Sequence, residues 1–92
     1  MAERIAIRSV IHGRVQGVNY RAWCREQAER RGLAGWVQNM PDGTVAAEFV
    51  GPRGEVEDML AACREGPLDA RVERIETEEV SPPEMSAFRI NR

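Results

Sequence analysis

Residues 5–31 read IAIRSVIHGRVQGVNYRAWCREQAERR, and this stretch decides the architecture. Ile5, Ile7 and Ile11 share one parity, with Ala6 and Val10 on the other, so Ile5 to His12 predicts a strand covered on at least one face. Gly13 to Asn19 holds two glycines and is expected to be a loop. Tyr20 to Arg31 contains no glycine or proline, carries good helix formers, and spaces Cys24 and Ala28 one turn apart. It predicts a helix with Asn19 as its N-cap and Gly32 as its stop.

Outward from this unit the pattern continues. Trp36 to Asn39 and Val45 to Val50 are short strand candidates on either side of Met40-Pro41-Asp42-Gly43, which is hairpin chemistry because glycine accepts positive φ. Glu55 to Glu65 puts Val56, Met59, Leu60 and Cys63 at helical spacing, and Gly66-Pro67 stops the helix. Val72 to Val80 is a charged strand of edge character, and its apolar phase slips between Val72 and Ile75, which predicts a bulge. Ser81-Pro82-Pro83 breaks it, and Ala87 to Ile90 gives a short closing strand. The order β-α-β-β-α-β defines an α+β, ferredoxin-like sandwich: an antiparallel sheet, two helices on one face, and a short extra C-terminal strand.

Composition narrows the classes of function. The chain has 92 residues, 42% hydrophobic and 30% charged, and is expected to form a single domain over residues 1–92. Its longest apolar run, Met59 to Cys63, is far shorter than the roughly 20 residues that span a bilayer. No apolar secretion segment opens the sequence, so a soluble, cytoplasmic monomer that engages no membrane is expected. All 13 basic residues are arginine, which removes lysine Schiff-base chemistry and a P-loop lysine. With two cysteines and one histidine, His12, no zinc-ligand set can be assembled, and no metal or other cofactor is expected. Cys24 and Cys63 are expected to be reduced core thiols.

The net charge of −2 is unevenly distributed. Residues 1–36 carry seven Arg against three Glu, and residues 37–92 six Arg against twelve acids. The acidic portion argues against a nucleic-acid binder. Val45 to Val50 offers only Phe49 for base stacking, and the first loop has no thiols to carry a metal, so two common uses of this fold fail on their residues.

The first loop carries the chemistry. Its glycines let successive N–H groups point inward as an anion nest, and the helix that follows adds free N–H groups and its positive dipole end. Arg21, in the first helical turn, can lay a fork of donors against two phosphate oxygens. Read by spacing alone, this strand–loop–helix is more often an ordinary connection, Arg21 more often a helix-surface charge, and Asn39 more often a turn residue. His12 next to Gly13 tempts assignment as a general base but is not read as one, because the loop after it is expected to bind on backbone donors. Gln16 is expected to brace the loop, and Trp36 to lie in the core.

The particular residues go further than the spacing. Gly13-x-Val15-Gln16-Gly17-Val18-x-Tyr20-Arg21 resembles the signature loop of the acylphosphatases, and Gly35-Trp36-Val37-Gln38-Asn39, followed by Gly43-x-Val45 and Gly51, resembles their second signature. The resemblance covers residues 5–90. Tyr20 departs from the phenylalanine usual in the family, and Ala46 from a common glutamate. The resemblance implies hydrolysis of a small-molecule acyl phosphate to a carboxylate and inorganic phosphate without metal. It makes Arg21 the phosphate-binding arginine and Asn39 the holder of the attacking water. The cradle would run through Gly13, Arg14, Val15, Gln16, Gly17, Val18 and Asn19, with phosphate or sulfate as competing ligands. The alternative is a catalytically silent binding module for a small anion or carbamoyl phosphate, similar to the acylphosphatase-like domain of hydrogenase-maturation proteins.

Overall fold

Residues 3–92 are described by a computed structural model of the chain. The elements are β1 (Arg4–Arg14), α1 (Tyr20–Arg30), β2 (Ala34–Asn39), β3 (Val45–Pro52), α2 (Arg53–Glu65), β4 (Arg71–Val80) and β5 (Phe88–Asn91). Their order matches the ferredoxin-like expectation.

Strand parity builds the core. Ile5 and Ile11 of β1, Val37 of β2, Val45, Ala47 and Phe49 of β3, and Phe88 of β5 all join one buried cluster with both helices. Helix α1 contributes Cys24 and Ala28, and α2 contributes Val56, Met59, Leu60 and Cys63, the four positions its periodicity selected. Both helices therefore cover the same face of the sheet. Full burial of a side chain such as Met59 contributes about 1.5–3 kcal/mol of transfer free energy.

The five strands lie in the order β4-β1-β3-β2-β5. β1 pairs antiparallel with β3 and β4, and β2 with β3. β5 instead runs parallel to β2, so the expected antiparallel sheet is a mixed one. Side-chain alternation is the same for either strand direction, so periodicity could not reveal this pairing.

The chain reaches that far edge from β4 along one transverse row of the sheet, Val80, Ala6, Val50 and Ala34. Met85 packs on this row, whose two alanines leave room for it, and Arg4 donates from Nη2 to the Met85 carbonyl oxygen at 2.8 Å.

The predicted bulge is real. His12 pairs with Arg74 and Gly13 with Val72, leaving Glu73 as the extra residue of β4. Gly13 has φ 127°, and a Cβ there would run into the carbonyl oxygen of Arg71, so the irregularity requires glycine. β4 is an edge strand, as its charge pattern suggested.

Three further expectations are corrected. α2 begins at Arg53 rather than Glu55, directly after Pro52, because first-turn residues need no helical acceptor for their N–H groups and tolerate Gly54 there. Asn19 does precede α1, but with φ 66° and no side-chain cap hydrogen bond. Trp36 is only partly buried, on the sheet face away from the helices, because Val37 takes the core parity.

Candidate active site

β1 continues through Arg14, which pairs with Arg71, so the loop starts at Val15 rather than Gly13. Val15 and Val18 are buried and pin the loop to the core, while Gly17 and Asn19 are exposed. Gly17 (φ 74°) and Asn19 (φ 66°) are left-handed and Val18 between them is not. That alternation of sign turns successive N–H groups toward one side. Among the described residues, the N–H groups from Gln16 to Arg21 donate to no main-chain acceptor.

Gln16 joins this loop to the β2–β3 hairpin. Its Nε2 donates to the carbonyl oxygens of both Met40 and Thr44, each at 2.8 Å. The hairpin is tight in its own right: Met40 N–H donates to Thr44 O at 2.9 Å and Gly43 N–H to Met40 O at 3.1 Å. Asp42 Oδ1 accepts from the Thr44 hydroxyl and N–H, and these bonds hold its carboxyl below the ordinary range. Asn39 closes β2 opposite Val45, and its buried Oδ1 has no partner within the described residues. A buried, unpartnered amide oxygen is ready to accept a hydrogen bond from water or a ligand.

The position of Arg21 is set by its neighbour. Tyr20 is buried, and its hydroxyl donates to the Cys63 carbonyl oxygen on α2 at 2.8 Å. Burial pushes the phenol well above its ordinary value, with the adjoining thiols adding to the shift. The Tyr20 ring also packs 5.2 Å from that of Trp23. The first turn of α1 is thus fixed to α2, and Arg21 emerges from it toward the loop. Cys24 and Cys63 are free and fully buried, as expected of core thiols, and the hydrogen bond between them, with burial adding to it, pushes the Cys24 thiol up.

A cleft of about 270 Å³ lies where these parts meet, lined by Val15, Gly17, Asn19, Tyr20, Arg21, Asn39, Ile90 and Arg92. It brings together Arg21, Asn39 and three residues of the expected cradle. Gly13, Arg14, Gln16 and Val18 do not line it; Gly13 and Arg14 belong to β1, Gln16 braces the loop, and Val18 anchors it. His12 also lies elsewhere, its Nε2 2.6 Å from Glu76 Oε1. Among the described residues, no acidic side chain lines the cleft. Ile90 and Arg92 were not singled out from sequence. The one signal available was parity, since Phe88, Ile90 and Arg92 alternate together.

A ferredoxin-like sheet with a cleft at the junction of β1, α1 and the β2–β3 hairpin places the chain among small α+β proteins whose site is built on a strand–loop–helix. The family model described as Acylphosphatase matches residues 7–90. The chain belongs to the acylphosphatase family and is an enzyme of that family. It is 55% identical over 82 residues to an acylphosphatase of Azorhizobium caulinodans, covering 88% of each chain. Among solved structures, an acylphosphatase from Coxiella burnetii superimposes with a TM-score of 0.92 at 33% identity, covering 96% of this chain and 93% of that one. Full-length HypF in a phosphate- and nucleotide-bound form also matches, with a TM-score of 0.92 at 27% identity. That match covers 100% of this chain but 12% of the other. Among the described residues, no helix is long and apolar enough to cross a membrane.

Proposed function

We propose that this protein, acting as a single-domain cytoplasmic monomer, hydrolyses the carboxyl–phosphate bond of small acyl phosphates. Arg21 binds the phosphoryl oxygens and Asn39 orients the attacking water. The observation that carries this reading is the shared cleft, which gathers the free loop amides, the Arg21 guanidinium and the unpartnered Asn39 amide oxygen around one small volume.

So sparse a site suits this reaction. The leaving group is a carboxylate whose conjugate acid has a pKa near ~4, so its departure needs no general acid. Phosphoryl transfer depends on aligning the nucleophile and stabilising charge on the equatorial oxygens. Arg21 and the loop amides supply that stabilisation. Asn39 accepts a hydrogen bond from water but cannot take its proton at neutral pH, so the proton passes to a phosphate oxygen of the substrate. Water oxygen bonds to phosphorus as the P–O bond to the carboxylate breaks, giving the carboxylate and inorganic phosphate.

Phosphate release from benzoyl phosphate, with and without EDTA, tests the reading. Turnover is expected and should be unaffected by EDTA, with inorganic phosphate and sulfate inhibiting competitively. Loss of turnover on chelation, or non-competitive inhibition, overturns the mechanism. A folded protein that binds phosphate without turnover is a silent binding module instead.

A further inference from the structure

The cleft holds a second guanidinium that the proposed mechanism does not use. β5 pairs with β2 in the register Val37 with Ile90 and Gln38 with Asn91, so the next position along brings Arg92 beside Asn39. Phe88 and Ile90 face the helix-side core, and two-residue alternation puts Arg92 on that same side, as Val37 does for Asn39. The cleft lining agrees, because Arg92 borders it together with Arg21 and Asn39. Among the described residues, Arg92 is in no ion pair and donates no hydrogen bond, and no Asp or Glu side chain borders the cleft beside it.

The geometry points to Arg92 as a second phosphoryl-binding cation, acting on the side from which water enters. This rests on the hydrolysis proposed above, and in-line displacement decides the side. Water held by Asn39 attacks phosphorus opposite the leaving carboxylate, so a group beside Asn39 lies away from the acyl chain. Arg92 therefore reads the phosphoryl group that all substrates share. Its charge is matched to the transferring oxygens and to the developing hydroxyl on the entering water. Arg21 binds from the helix, Arg92 from the sheet, and the loop amides close the third side.

Arg92→Gln and Arg92→Lys test this in three measurements: phosphate affinity by calorimetry, hydrolysis of butyryl phosphate, and hydrolysis of succinyl phosphate. The two substrates differ by a carboxylate on the acyl tail. Arg92→Gln is expected to weaken phosphate binding and lower kcat/KM about tenfold, the scale of one partly exposed charge-assisted contact. The succinyl-to-butyryl ratio should not move, and Arg92→Lys should recover part of the loss. Since Arg92 makes no hydrogen bond or ion pair within the described fold, its thermal midpoint should match the parent protein. Unchanged phosphate affinity overturns the inference. A changed substrate ratio also overturns it, since Arg92 would then read the acyl tail. If the parent protein hydrolyses neither substrate, the functional reading fails, while phosphate calorimetry still decides the role of Arg92.

Discussion

The Gln16 side-chain amide donates a 2.8 Å hydrogen bond to the carbonyl oxygen of Met40, the residue directly after Asn39. With the companion bond to Thr44, this couples the loop that presents free N–H groups to the strand end that presents Asn39. The two halves of the cleft are therefore one mechanical unit, held from outside the cleft by a residue that does not line it.

Gln16→Ala removes both bonds. Each contributes about 0.5–1.5 kcal/mol, so a stability loss of about 1–3 kcal/mol is expected from thermal or denaturant unfolding. Activity should fall further than the unfolded fraction explains, because the surviving folded protein no longer fixes Asn39 against the loop.

Asn39 touches the entering water more than the bound phosphate. Asn39→Ala is expected to lower kcat on the order of 10²-fold, with KM and phosphate affinity nearly constant. Steady-state kinetics beside a melting curve checks this. A folded variant that loses phosphate binding and keeps kcat would reverse the roles of Asn39 and Arg21.

Arg21 meets the phosphoryl group both before and during transfer. Arg21→Ala should therefore raise KM and lower kcat together. Arg21→Lys should fail as well, because a point charge on a flexible stem does not reproduce the two-pronged contact. Kinetics on benzoyl phosphate for both variants provides the comparison.

Tyr20 is the only tyrosine and gives a clean titration probe. In the unfolded chain its phenol titrates near the ordinary value of 10.0, whereas burial keeps it protonated well above that in the fold. Its contribution is fully present below pH ~10. Above that the unfolded state alone releases the proton, so stability falls by about 1.4 kcal/mol per pH unit. Phenolate absorbance should appear together with loss of circular dichroism; phenolate in a still-folded protein would show that Tyr20 is not sealed between α1 and α2.

Most of this fold was legible because burial leaves a periodic trace. Val56, Met59, Leu60 and Cys63 announced the buried face of α2, and the phase slip between Val72 and Ile75 announced the bulge at Glu73. Arg21 and Asn39 stood out only through the motifs that contain them, since a lone arginine or a turn asparagine carries no periodic signal. Trp36 misled because a large aromatic residue suggests the core, whereas the parity fixed by Val37 sends it to the other face. Ile90 and Arg92 were invisible as site residues for a related reason. Their placement depends on β5 choosing β2 as a parallel neighbour, a long-range choice that the strand's four residues do not encode locally.

That choice also gives the molecule an unequal native ensemble. β5 has four residues and holds the sheet along a single edge, anchored mainly by Phe88, whose ring stacks 5.8 Å from Phe49. Its release gives up one ladder with β2 and the packing of Phe88 and Ile90 against the core, less than melting the four antiparallel strands and two helices, so it is the lower-lying excursion. Such a release would carry Ile90 and Arg92 out of the cleft they line. With Arg92 in the role proposed for it, specific activity would report how often one short strand is docked, and inactivation in rising denaturant is expected to run ahead of the collapse of the sheet.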